Sequence, residues 1–173
     1  MSCRRRTARE RRYNRTQNAR RWRRAKSLLV RTRECERARG WVAQREVGVI
    51  VGLGVDIAEV DRIAAAIVRR GRPFLERVFT PAEIAYCERH RNRFERYAGR
   101  FAAKEATMKA LGTGWTCGVR WRDIDVTRQP SGRPTLELHG ATREHAERLG
   151  VRQISISITH SGNTAFAEVI FEN

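Results

Sequence analysis

The chain has 173 residues and a formal net charge of +17, with 36 Lys and Arg against 19 Asp and Glu. Its length allows one domain with an appendage, or at most two small domains. No apolar run approaches the ~20 residues of a membrane span. No apolar segment follows the N-terminal arginines as a secretory signal requires, and four scattered cysteines without a C-x-x-C speak against a zinc site or a disulfide framework.

The charge is uneven. Residues 1–47 hold 17 basic and 4 acidic side chains, whereas residues 48–173 hold 19 and 15. The first stretch has too few apolar residues to offset its ordering entropy and is expected to be disordered or a lone surface helix. Three readings apply to it: a basic arm on nucleic-acid phosphates, an Arg-rich targeting segment, or residues upstream of a mis-set start. The abrupt opening of a strand near Val47 or Val49 favours the last. Residues 48–173 then form the folded domain, long enough to bury a core. Free thiols and the absence of a signal make the cytoplasm the expected compartment.

Gly48 to Ile57 is short, β-branched and punctuated by glycine, which predicts a buried strand. Gly52 and Gly54 do not begin a dinucleotide loop, because Ile57 occupies the third glycine position of G-x-G-x-x-G. Asp56 ends this apolar strand, and its plain role would be a helix N-cap. Residues 58–70 follow helical periodicity until Arg72-Pro73 breaks it. Thr80-Pro81-Ala82-Glu83 predicts a capping box with proline at the first helical position, opening a helix over Pro81–Arg89. A longer helix is expected over Phe94–Leu111, stopped by Gly112 and Gly114. Strands follow at Val119–Val126 and Pro134–Leu138 across a Pro130-Ser-Gly132 turn, and a helix at Ala141–Leu149. Two last strands, Gln153–Thr159 and Thr164–Phe171, flank a hairpin turn at His160-Ser-Gly-Asn163. Helices first and hairpin-linked strands later suggest an α+β fold with helices packed on a mainly antiparallel sheet.

Of all the basic residues only three are lysine, Lys26, Lys104 and Lys109, and two of them share the helix 94–111. Lysine is a compact point charge where arginine is a planar fork. Glu105 and Lys109 lie four apart on one helix face, and Arg100 and Lys104 four apart on the next. Two exposed i,i+4 relations would account for them, but their neighbours are small or apolar. Two acids, Asp56 and Glu105, with several cations is the composition of a site for a metal-bound phosphate ester. Spacing alone leaves open whether Asp56 meets Glu105.

Four segments in order carry a further signal: Gly52-Leu-Gly-Val-Asp56-Ile-Ala-Glu-Val-Asp-Arg62-Ile, Phe79-Thr-Pro-Ala-Glu83, Gly99-Arg-Phe-Ala-Ala-Lys-Glu-Ala-Thr-Met-Lys-Ala-Leu-Gly-Thr-Gly114, and Ser155-Ile-Ser-Ile-Thr-His160-Ser. Together they closely resemble the holo-acyl-carrier-protein synthase family, the small bacterial 4′-phosphopantetheinyl transferases, over about residues 48–171. The resemblance implies that fold and a cytoplasmic enzyme of fatty acid biosynthesis. Such an enzyme moves 4′-phosphopantetheine from coenzyme A to a serine of apo acyl carrier protein and leaves adenosine 3′,5′-bisphosphate. It implies Asp56 and Glu105 as magnesium ligands, with Glu105 and Lys109 catalytic. It implies Arg100 and Lys104 as contacts to the coenzyme's phosphates and His160 as a contact to its nucleotide part. Arg62 falls on the helix that docks the acidic carrier protein, and the family typically forms homotrimers. The 47-residue extension departs from the family, as does Thr159 where a serine usually precedes the histidine. The alternatives are a nucleic-acid-binding protein acting through the basic arm, and a larger transferase of two pseudo-repeated halves, which the length opposes.

Overall fold

The computed structural model describes residues 48–173, so the disorder or upstream start expected of residues 1–47 falls outside the described residues. The elements run β1 (Ile50–Glu59), α1 (Val60–Arg70), α2 (Arg72–Val78), α3 (Pro81–Glu88), α4 (Arg93–Ala110), a 3-10 turn (Trp121–Asp123), β2 (Ile124–Arg128), β3 (Pro134–Leu138), α5 (Gly140–Arg148), β4 (Gln153–Ser161) and β5 (Thr164–Glu172). Strands β1, β5 and β4 form one antiparallel sheet in that order, and β2 and β3 a two-stranded one. The architecture is α+β, as the order of elements suggested.

Helix α4 lies on β1 and β5. Its contact face is built of alanines, Ala102, Ala103, Ala106 and Ala110, all buried. The strand beneath contributes glycines. A Cβ on Gly54 would stand 1.9 Å from the Ala106 carbonyl oxygen, and one on Gly52 2.3 Å from that of Ala110. The Gly-x-Gly pair therefore lets helix backbone rest on strand backbone. It is a packing device, and it sets how close β1 side chains come to those of α4.

Strand β1 runs to Glu59, so Asp56 sits inside it, opposite Ala167 of β5, and does not cap the next helix. That capping comes from the β4–β5 turn instead. The Asn163 carbonyl accepts the Val60 N–H at 2.8 Å and the Asn163 Oδ1 accepts the Asp61 N–H at 3.1 Å, satisfying two of the orphan donors of α1. The β4–β5 turn is also tighter than the four residues expected. His160 and Ser161 still pair with Ala165 and Thr164, so His160 belongs to strand β4.

Helix α2 was not expected. Gly71, at φ +61°, ends α1, and Pro73 sits in the first turn of a new helix, where its missing N–H is harmless. The capping box does form: Thr80 Oγ1 accepts the Glu83 N–H at 3.2 Å and Glu83 Oε2 accepts the Thr80 N–H at 2.8 Å. The strand expected from Val119 begins only at Ile124, because the 3-10 turn precedes it. The core gathers Phe79, Tyr97, Met108, Ile124, Val169 and Phe171 beneath α4 and the sheet.

Candidate active site

Because Gly54 admits α4 so closely, Asp56, two residues on along the same strand face, meets the next part of that helix. The Lys109 Nζ donates to Asp56 Oδ1 at 2.8 Å and to the Val55 carbonyl oxygen at 2.9 Å. Glu105 is one helical turn before Lys109. Its carboxyl is held above the usual carboxylate value, first by burial and then by the Asp56 charge. Lys109, the Trp115 indole and Arg62 oppose that rise by favouring the ionised form. Asp56 and Glu105 thus share one neighbourhood, which spacing had left open.

These side chains line a cleft of about 570 Å³ together with Arg62, Arg69 and Phe101. Arg62, Ala66, Arg69 and Arg70 follow helical spacing on α1, so one face of that helix forms a basic wall. Arg69, Arg70, Phe101 and Trp115 were not singled out from the sequence. The i, i+7, i+8 spacing of the arginines from Arg62 was the available signal. No sequence signal pointed to Trp115, because it comes from the loop after α4.

The two carboxylates, Asp56 and Glu105, are the hard-cation donors here; the Lys109 ammonium is a second cation beside them, paired with Asp56. Among the described residues no group of three or more His, Cys, Asp or Glu is poised to hold a metal. A two-carboxylate set fits a magnesium-like ion, which keeps several waters and takes its remaining oxygens from substrate phosphates. The Lys109 ammonium against Asp56 shows that this corner favours positive charge.

Arg100 and His160 lie towards the other end of α4. The His160 Nε2 donates to the Glu95 carbonyl oxygen at 3.0 Å, and the ring rests on Gly99, where a Cβ would come within 2.8 Å of Nε2. Arg100 is 5% exposed, its guanidinium 4.1 Å from the centre of the Tyr86 ring, and its Nε has no hydrogen-bond partner among the described residues. Neither lines the Asp56 cleft. Glu105 is roughly 7–8 Å further along the helix than Arg100, at 1.5 Å per residue.

Lys104 departs from the expectation. It is fully buried, paired at 2.8 Å with Glu83 and bonded to the Trp121 and Ile124 carbonyl oxygens, so its ammonium faces the interior and not the cleft. The reason is geometric: residue 104 falls on the inward side of α4, over β2, while Glu105 and Lys109 fall on the side of β1.

A four-motif match, an α+β fold and a basic cleft around two carboxylates are compatible with phosphoryl-transfer chemistry. The family model of the 4′-phosphopantetheinyl transferase superfamily matches residues 52–166, and the chain belongs to that superfamily. It is 58% identical over 125 residues to the holo-acyl-carrier-protein synthase of Solibacter usitatus, covering 72% of this chain and 100% of that protein. It is 51% identical over 125 residues to that of Koribacter versatilis, with the same coverage. The crystal structure of the Neisseria meningitidis holo-acyl-carrier-protein synthase superposes with a TM-score of 0.68 at 32% identity, covering 72% of this chain and 100% of that one. That of Helicobacter pylori, in complex with coenzyme A, gives 0.62 at 32% identity, covering 69% and 98%.

Proposed function

We propose that this chain is a holo-acyl-carrier-protein synthase, moving 4′-phosphopantetheine from coenzyme A to a serine of apo acyl carrier protein. The observation that carries this is the convergence of Asp56, Glu105 and Lys109 in one basic cleft, in a chain that matches such synthases over their whole length.

Asp56 and Glu105 would hold magnesium, which when bound neutralises charge on the pyrophosphate link of the coenzyme. The chain's own groups do the rest. Lys109 spends two of its three N–H bonds on Asp56 and Val55 and keeps one for a phosphoryl oxygen. It stabilises charge that grows there during transfer. Glu105, whose carboxylate lines the cleft beside Lys109, takes the serine proton directly or through a bound water. The serine oxygen forms a bond to the β-phosphorus as the bond to the bridging oxygen breaks, releasing adenosine 3′,5′-bisphosphate. Arg100, with a buried unpartnered Nε, and His160 extend the site along α4 for the rest of the coenzyme.

The wall of Arg62, Arg69 and Arg70 suits an acidic carrier protein, which it would steer by charge. Leu53, Val55 and Ile57 project from the outer face of β1, each at least 43% exposed. An apolar stripe of this kind on an edge strand fits assembly of copies of the chain, as a homotrimer. Among the described residues no helix is long and apolar enough to cross a membrane, and Cys87 and Cys117 are free thiols, which suits the cytoplasm. The rival nucleic-acid reading falls on residues 1–47, outside the described residues.

The test is release of adenosine 3′,5′-bisphosphate by the full chain. It should require coenzyme A, magnesium and apo carrier protein together, and fall at least ~100-fold in Glu105→Ala and in Lys109→Ala. Near-full release by either variant at saturating magnesium would remove that residue from the mechanism.

A further inference from the structure

Lys104 and Glu83 form a closed knot. An ammonium has three N–H bonds. Those of Lys104 go to Glu83 Oε2 at 2.8 Å, to the Trp121 carbonyl oxygen at 2.8 Å and to the Ile124 carbonyl oxygen. None is left for a ligand, and the side chain is 0% exposed. Glu83 is equally committed. Besides Lys104, its carboxylate accepts the Thr80 N–H at 2.8 Å and the Val126 N–H at 3.0 Å. One buried ion pair therefore ties the start of α3, the middle of α4, the 3-10 turn and β2 to a single point.

That point is one residue from Glu105. On the opposite side α4 is seated on Gly52 and Gly54 of β1. The helix is thus held between a backbone contact that fixes its height over Asp56 and a charged tie that fixes its rotation and slide. We propose that Glu83 and Lys104 are positioning residues, which set Glu105 and Lys109 against Asp56, and that Lys104 makes no contact with the coenzyme. This rests on the transferase reading above. It also explains why this position is lysine in a chain that otherwise uses arginine, since three acceptors around one nitrogen suit an ammonium and not a planar fork.

The first test needs only the wild-type full chain. Folded protein is acylated with acetic anhydride, with and without S-acetyl-coenzyme A, whose blocked thiol cannot consume the reagent, and Lys104 and Lys109 are followed by peptide mass spectrometry. Lys109 should react readily, and the acetylated coenzyme should slow it. Lys104 should react at least ~100-fold more slowly, because it waits for local opening, and the acetylated coenzyme should not change its rate. Labelling of Lys104 at the rate of Lys109, with protection by the acetylated coenzyme, would overturn the proposal. This readout does not depend on transfer activity, so a wild-type chain that labels as stated but transfers nothing would sink the transferase reading alone.

The second test separates positioning from stability. Lys104→Met, Glu83→Gln and the double variant should each lose at least ~30-fold in kcat with coenzyme KM within ~3-fold of wild type, and the double should be no worse than the worse single. Gly150→Ala, whose φ of +79° imposes strain while its added Cβ meets no atom within 4 Å, should lower Tm while leaving kcat within ~2-fold. A rise of at least tenfold in coenzyme KM in Lys104→Met but not in Glu83→Gln would assign Lys104 to the coenzyme and refute the proposal. Should a variant fail to fold, the wild-type labelling decides alone.

Discussion

Gly54→Ala is the sharpest perturbation of this site, because it touches no catalytic group. The added methyl would lie 1.9 Å from the Ala106 carbonyl oxygen, 2.6 Å from the Ala110 nitrogen and 2.9 Å from the Ala106 carbonyl carbon. All three are helix backbone, so no side chain can swing aside. Relief to 3.0 Å needs a displacement of α4 from β1 of about 1.1 Å. The Lys109–Asp56 contact of 2.8 Å spans the same gap and lengthens with it. A misplacement of about 1 Å costs on the order of 100-fold in rate, and overpacking of this kind costs about 1–3 kcal/mol of stability. The expected outcome is a folded protein with kcat down about 100-fold. Gly132→Ala is the control: it meets no atom within 4 Å, although its φ of +86° imposes strain. It should lose about 1 kcal/mol of stability and keep its kcat. The assay is steady-state transfer to apo carrier protein, with thermal unfolding alongside. Activity of Gly54→Ala within threefold of wild type would refute the idea that the glycine contact sets the site.

Three further outcomes are expected. Arg62→Ala should lower kcat/KM for the carrier protein about tenfold and flatten its dependence on salt, with kcat at saturation nearly unchanged, since a rim charge acts on encounter; a salt dependence identical to wild type would remove Arg62 from docking. Leu53→Arg places a charge in the exposed stripe of β1, so sedimentation should show a trimer for the wild type and a monomer for the variant; a wild-type monomer would end the trimer reading. Burial pushes the Cys87 thiol up to about 12, so it stays neutral throughout the physiological range. Alkylation at pH 8 should therefore spare Cys87 until the protein is unfolded, and rapid labelling in the folded state would contradict its burial.

The elements that sequence periodicity brings out well are those whose signal is local. The capping box at Thr80 and Glu83 and the strand Pro134–Leu138 are found as expected, because turn chemistry and apolar alternation act over a few residues. Helix α2 escaped because Pro73 is a break in one register and a helix start in another. At the site, motif order pointed to Asp56, Glu105 and Lys109, but their meeting depends on two glycines whose purpose is visible only once α4 lies on β1. The buried pairing of Lys104 was hidden for the same kind of reason. Its partner Glu83 is 21 positions earlier, beyond the reach of i,i+4 spacing, and its expected coenzyme contact came from the family resemblance alone. Helical spacing says which residues share a face; it does not say which face looks inward.

The most direct test of the central claim is the intact mass of apo acyl carrier protein incubated with the full chain, coenzyme A and magnesium, with Glu105→Ala in parallel. Gain of one phosphopantetheine on the acceptor serine with the wild type, and at most a trace of it with the variant, is the predicted result. Unchanged carrier mass with well-folded wild type would contradict the account, as would an equal gain with Glu105→Ala.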